Sequence, residues 1–222
     1  AYLTSRGKRL LFTDPEFFAG CSRLSGIVGK RNITVLLVKL YAEQMIAAKE
    51  RTVGALPDSI PELMLEYLND INRLAGGADP NDRTIQRVAK IIAWECLKET
   101  FRPGDAKRDV ILEELKSETN PEELLDYCER VLRLIYTTGV EKDRLRFALD
   151  PLAEYLAGLR LVDIYGANKV SWDSFFRKLD GACESKEQTR EFLDAVRDCC
   201  LVKLDDKGFQ SYVVAELEKR IF

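Results

Sequence analysis

The chain has 222 residues, of which 46% are hydrophobic and 32% are charged, and its formal net charge is −3. This composition is typical of a globular protein with one large domain or two small ones, and it offers no strongly basic face to a nucleic-acid backbone. Histidine is absent, which excludes Ser-His-Asp and Cys-His catalysis, His-ligated zinc and a histidine pH switch.

The six cysteines form no C-x-x-C pair, and most of them fall on the apolar phase of helical patterns. This usage is typical of reduced, buried thiols, so we expect a cytoplasmic protein without a metal site. Cys199 and Cys200 are adjacent and would diverge on a helix, which favours core packing over a redox or metal site. The longest apolar run is interrupted by Lys39 and Glu43, and the N-terminus lacks a signal-peptide pattern, so we expect no membrane segment.

Helix signals dominate the sequence, and several predicted helix starts share one pattern. A capping residue is followed by proline or by a glutamate or glutamine that can complete a capping box. The predicted starts are Thr13 or Asp14 in TDPEFF, Ser59 in SIPELM, Asn120 in NPEELL and Ser185 in SKEQ.

Apolar residues at helical spacing predict further helices after Ile33 and after Ile85, and near residues 105–115, 171–179 and 206–221. The stretch AGGADPND predicts a subdomain boundary, because Gly-Gly ends a helix and Asp-Pro begins a turn. Three regions are therefore predicted: an N-terminal helical subdomain at 1–80, a winged-helix-like subdomain at 81–166 and a C-terminal helical subdomain at 167–222.

The stretch LRLIYTTGVEKDRLRFAL predicts a β-hairpin, since two β-rich runs flank a turn that contains glycine and charged residues. Predicted helices at 83–101, 105–115 and 121–134 precede it and one helix follows, which is the order expected of a winged helix. A helical bundle with an added hairpin is the alternative. We expect a mainly α fold, a multi-helix array with a winged-helix-like subdomain that contains one β-hairpin.

The stretch GIVGKRN is similar to the end of a phosphate-binding loop, but its spacing is wrong. A P-loop has glycine five residues before its last glycine and serine or threonine after its lysine, and this chain has Leu24 and Arg31 there. Helix termination at Gly29, with Lys30 and Arg31 near the C-terminal end of the helix, is the better interpretation.

Carboxylate pairs do not suggest catalysis. Glu113-Glu114 and Glu122-Glu123 fall in helix turns and predict a solvated face. Without a phosphate cradle or an acid–base pair, we expect that the chain alone is not an enzyme.

The stretch RLRFALDPLAEYLAG predicts a strand that leads directly into a helix. Asp150 is predicted to cap the helix that begins at Pro151, which would stabilise the fold by about 0.5–2 kcal/mol. The predicted buried face is Leu152, Tyr155, Leu156 and Leu159, and the small residues Ala153, Ala157 and Gly158 would allow close helix approach.

Within this stretch, FALDPLAEYLAG resembles the winged-helix motif of NACHT-type STAND NTPases, and it is similar to the methionine-histidine-aspartate motif of plant resistance proteins. In this match Ala148 takes the apolar place, Leu149 the place of the nucleotide-sensing histidine and Asp150 that of the aspartate. The helix signature of the motif is matched by Glu154, Tyr155, Leu156 and Ala157.

Two earlier stretches extend the resemblance over roughly Phe12 to Leu161. RNITVLLVKLYAEQM resembles the helix after the nucleotide-binding core, with Val35 in the place of a proline near the adenine, and LPDSIPELMLEYLNDI resembles the next helix. The resemblance implies a regulatory segment that holds a signalling NTPase inactive and relays nucleotide-dependent activation. It also implies that a full-length parent has a P-loop domain that binds ATP or ADP, and that this chain itself holds no cofactor. Leu149 has no hydrogen-bond donor for a phosphate, and Val35 lacks the proline ring.

Two other functions fit the sequence. One is a free-standing helical interaction module, an adaptor or scaffold whose helices form a groove for a protein partner. The other is a winged-helix nucleic-acid binder. Its candidate basic residues have Glu129, Glu141 and Asp143 nearby, so a solvated face with balanced charge is the competing explanation for them. The candidate nucleic-acid contacts are Arg130, Arg133, Lys142, Arg144 and Arg146.

Overall fold

The chain is mainly helical and contains one small antiparallel sheet, as the sequence predicts. The structure, a computed structural model, describes residues 1–29, 34–51, 55–76, 80–182 and 186–222. In these ranges no helix has the length and apolar character needed to cross a membrane. The α-helices are α1 (Tyr2–Ser5), α2 (Asp14–Val28), α3 (Val35–Arg51), α4 (Ile60–Leu74), α5 (Asp82–Leu97), α6 (Arg108–Glu114), α7 (Pro121–Asp126), α8 (Asp150–Tyr165), α9 (Lys169–Ala182), α10 (Arg190–Lys203) and α11 (Lys207–Ile221).

Contacts divide the chain into two compact units, Ala1–Tyr67 and Leu68–Phe222. The sequence-based division differs, since it placed boundaries near residues 80 and 166. Within the second unit, α8 packs against both α5 and α10. The helices before and after residue 166 therefore share one core.

Two of the predicted helix starts are confirmed by their cap hydrogen bonds. The Thr13 hydroxyl accepts from the Glu16 backbone N–H at 3.4 Å, and the Glu16 carboxylate accepts from the Thr13 N–H at 2.9 Å, which completes a capping box. The Ser59 hydroxyl accepts from the Glu62 N–H at 3.3 Å. Local sequence is sufficient here because each cap and its partner are three residues apart.

The start predicted at Asn120 is correct in position but not in mechanism. Asn120 adopts a left-handed φ of 54° before α7, and its side chain makes no cap hydrogen bond to the helix. Its amide instead donates to the Glu123 carboxylate at 3.0 Å. The helix predicted as one element over 121–134 is α7 followed by a π-helical turn, Tyr127–Val131. Ser185 lies outside the described residues.

The predicted hairpin is confirmed. Strands β2 (Ile135–Thr138) and β3 (Arg144–Phe147) pair antiparallel, with Ile135 opposite Phe147. On β3 the side chains alternate, so that Leu145 and Phe147 are buried while the two arginines are partly exposed.

The helix predicted over 105–115 is partly wrong, because its first residues form a third strand, β1 (Asp105–Lys107). β1 pairs antiparallel with β3, with Ala106 opposite Leu145, and the sheet order is β1-β3-β2. Both residues of that pair are buried. Pairing with a strand about 40 residues away in sequence overrides the local helical signal, which resumes in α6.

Helix α8 is the central element of the second unit. Every residue from Leu152 to Leu159 is buried, as expected for a helix that neighbouring elements cover on all sides. The buried face and the close approach predicted for this helix are confirmed. A Cβ atom on Gly158 would lie 3.2 Å from the Val196 Cα and 3.1 Å from the Cys199 Sγ of α10.

We expect Gly158→Ala to destabilise the protein by about 1–3 kcal/mol, because the added methyl group would meet the α10 backbone, which cannot rotate away. Gly181→Ala is the matched control, since a Cβ atom there has no neighbour within 4 Å. In that helical position alanine should be neutral or stabilising by up to about 1 kcal/mol. Urea denaturation measures both, and an equal effect of the two substitutions would contradict close packing at Gly158.

Candidate functional site

The connection between β3 and α8 consists of Ala148 and Leu149. The Ala148 N–H donates to the Leu134 carbonyl at 2.8 Å, which fixes the connection to the residue before β2. Leu149 is the N-cap residue of α8, with an extended backbone, and its carbonyl accepts from the Ala153 N–H at 3.1 Å. No side chain caps this helix.

The predicted cap at Asp150 is therefore wrong. Asp150 lies inside the first turn of α8, and its carboxylate is 3.4 Å from the Arg146 guanidinium on β3. The helix begins one residue earlier than predicted, because the Leu149 carbonyl already accepts a helical hydrogen bond. Asp150 keeps a favourable interaction with the helix dipole, and its exposed ion pair is worth about 0–1 kcal/mol.

The third predicted sensing residue, Val35, is the first residue of α3 and is 86% exposed. It belongs to the first unit, whereas Leu149 and Asp150 belong to the second. Leu149 and Asp150 are consecutive residues, so the sequence itself places these two together at the junction.

The candidate nucleic-acid contacts are largely engaged with carboxylates. Arg133 and Lys142 both adopt a left-handed φ of 54°, in the segment before β2 and in the hairpin turn respectively. The other three arginines form the ion pairs Arg130–Asp126, Arg144–Asp105 and Arg146–Asp150. These pairs reduce the positive charge that the hairpin could offer to a phosphate backbone.

In the stretch GIVGKRN, which is similar to the end of a P-loop, Gly29 has a structural role. Gly29 ends α2 with a φ of 66°, a conformation that glycine adopts readily, and its N–H donates to the Ser25 carbonyl. The predicted helix termination at Gly29 is confirmed. Lys30 and Arg31 lie outside the described residues.

Glu154 is a buried carboxyl that sequence reasoning noted only as part of a helix signature. It is 6% exposed and makes no hydrogen bond or ion pair with any described residue. Burial raises the pKa of Glu154 to about 8, and the charges of Glu191 and Asp150 raise it further in the same direction. A single glutamate in the otherwise apolar run from Leu152 to Leu159 was the available sequence signal.

Two hydrogen bonds join α8 and α10. The Tyr155 hydroxyl donates to the Asp198 carboxylate at 2.8 Å, and the Cys199 thiol donates to the Tyr155 carbonyl at 3.5 Å. Burial raises the pKa of Cys199 well above its usual value and that of Cys200 to about 12, so neither is an activated thiolate. Across the part of the chain that the structure describes, no group of three or more Cys, Asp or Glu residues could hold a metal ion.

No protein-family model, curated protein or solved structure matches the chain. The functional interpretation therefore depends on the topology around the junction, on its contacts and on the resemblance carried by FALDPLAEYLAG.

We expect Glu154→Gln to change the free energy of unfolding in a pH-dependent way. The variant should gain about 2–3 kcal/mol more stability, relative to wild type, at pH 7.5 than at pH 5. In the folded chain the pKa of Glu154 is about 8, against an ordinary value of 4.5. Between these values the folded state holds a proton that the unfolded state has lost. The contribution of Glu154 to the free energy of unfolding therefore falls as pH rises from about 4.5 to 8.

Urea denaturation at the two pH values measures this effect as the difference between variant and wild type. The matched control is Glu122→Gln, which changes an exposed carboxyl of α7. A stability difference for Glu154→Gln that does not change with pH would show that this carboxyl is ionised in the folded protein.

Proposed function

We propose that this chain is the regulatory helical and winged-helix segment of a NACHT-like signalling NTPase of the cytoplasm. The observation that carries the proposal is the order of elements in the second unit: α5, β1, α6, α7, β2 and β3, followed directly by α8. This is the helix–strand–helix–helix–hairpin order expected of a winged helix. FALDPLAEYLAG falls on the hairpin-to-helix connection, where the resemblance requires it.

The burial pattern supports the helix part of the match. The helix signature Glu154 to Ala157 lies in the fully buried part of α8, whereas Ala148, in the apolar place of the motif, is exposed. The connection between β3 and α8 is held by the Ala148 hydrogen bond to Leu134. A change at the junction would therefore move the hairpin and α8 together.

In the proposed parent protein, the P-loop domain binds ATP or ADP and this chain contributes the mechanical part of the switch. The N-terminus of α8 carries backbone N–H groups without a side-chain cap, which favours a nearby anion. Leu149 adds no donor of its own, so a phosphate at this position would be held weakly. Discrimination between ADP and ATP would then depend on how the segment docks rather than on one side chain.

The helical interaction module is the second candidate, and one observation favours it. The first unit has a cavity of about 390 Å³ between α2 and α3, whose lining combines apolar residues such as Phe12, Met45 and Leu56 with the charged residues Glu16, Arg23 and Lys49. Such a cavity is within the size range of small binding sites. The nucleic-acid binder has less support, because three of its five candidate cations are paired and the net charge is −3.

The nucleotide hypothesis predicts the effect of a histidine at the junction. In the natural protein that contains this chain, Leu149→His should tighten ADP binding about 5- to 30-fold, the range for one hydrogen bond to a charged group. Ala148→His is the matched control, since it places the same ring one residue earlier and should not tighten binding. Calorimetric titration with ADP measures both variants. Equal ADP affinity of wild type and a folded Leu149→His protein would place the phosphate elsewhere and favour the interaction module.

We also expect the isolated chain to show no ATPase activity, because the phosphate cradle, Mg²⁺ ligand and water-positioning residue of the P-loop class are missing from its sequence. Phosphate release above a protein-free blank is the measurement. Turnover that disappears on substitution of a residue in this chain would contradict the proposed division of roles.

A further inference from the structure

Glu154 is buried in the first half of α8, but its side chain is not sealed off from solvent. Glu154 is 6% exposed and makes no hydrogen bond or ion pair with any described residue. The side chain therefore keeps a small contact with solvent.

The described charges that act on this carboxyl are both negative. Asp150 lies one helical turn earlier on the same side of α8, and Glu191 lies in the first turn of α10. Both side chains are exposed. Among the described groups, Glu191 and Asp150 are the charges that act on Glu154, and Asp150 also pairs with Arg146 of β3.

A buried carboxyl without a partner is costly, and each such group in a native protein requires an explanation. A positive group beside Glu154 would satisfy it, because charge-assisted hydrogen bonds to a carboxylate are strong and the surrounding charges are complementary.

We propose that Glu154, with Asp150 and Glu191 beside it, receives one arginine or lysine side chain of a partner protein at the N-terminal part of α8. The proposal goes beyond the regulatory function above and holds whether the basic side chain comes from a P-loop domain or from another protein. Without the partner, Glu154 carries a proton at neutral pH. When the cation binds, this proton passes to solvent and the carboxylate pairs with the cation, so affinity rises with pH.

The experiment uses the chain alone and a defined probe, the peptide acetyl-Gly-Arg-Gly-amide. Binding is followed by NMR through the side-chain carboxyl carbon of Glu154. The control peptide carries citrulline, which has a similar shape to arginine but no charge. The arginine peptide should shift the Glu154 signal, and its affinity should rise about 10- to 100-fold between pH 6 and pH 9 as the carboxyl ionises. Arginine itself keeps its charge over this range.

Three variants locate the effect. Glu154→Gln preserves the shape of the side chain and should remove the pH dependence of binding, and Asp150→Asn should weaken binding several-fold while keeping that dependence. Glu122→Gln, on α7, should leave both unchanged. Urea denaturation of each variant confirms that it is folded.

Three results would overturn the proposal: equal binding of the arginine and citrulline peptides, an unchanged pH dependence in Glu154→Gln, or no binding of either peptide. Since no nucleotide is involved, these results are independent of the ADP titration that tests the proposed function.

Discussion

The burial of α8 on every side is the constraint on which the second unit depends. This helix packs against α5, which precedes the sheet, and against α10, which follows it. The contact with α10 is close because Gly158 has no side chain, and Tyr155 is tied to Asp198 by a buried hydrogen bond. The sheet is attached to the same helix, since β3 enters α8 after two connecting residues.

This arrangement suits a segment that transmits a mechanical change. Packed helices move as rigid bodies and have a limited number of arrangements, so a displacement at the junction cannot be absorbed locally within α8. In the proposed function, docking of the junction against a P-loop domain would displace α8, and the close contact at Gly158 would transmit this displacement to α10. The buried carboxyl of Glu154 adds a charge-dependent element to the same helix, one turn away from the junction.

Features set by neighbouring residues could be predicted from the sequence. The Thr13 capping box, the hairpin and the buried face of α8 each depend on spacing within one element or one turn. Features set by distant residues could not. The strand β1 forms because Ala106 meets Leu145 of β3, and no local pattern around residues 105–107 indicates this pairing.

The candidate site also combines features set by neighbouring residues with features set by distant ones. The position of the junction at Ala148 to Asp150 followed from the strand and helix patterns, but the cap assigned to Asp150 was one residue too late. That difference depends on which carbonyl accepts the first helical hydrogen bond, and on the Arg146 side chain that competes for the carboxylate. The protonated state of Glu154 depends on the helices packed around it and on Glu191, which is 37 positions away in the sequence, so the sequence alone offered only an isolated glutamate in an apolar run.

Hydrogen exchange in the proposed full-length NTPase tests most directly whether the junction responds to nucleotide. The amides to follow are those of the hairpin and the connection, residues 135–150, compared between the ADP-bound protein and the protein with a non-hydrolysable ATP analogue. We predict slower exchange of these amides with ADP, because the segment is docked in the inactive state, and unchanged exchange in α11. Identical exchange of residues 135–150 in the two nucleotide states would contradict a nucleotide-dependent switch at this junction.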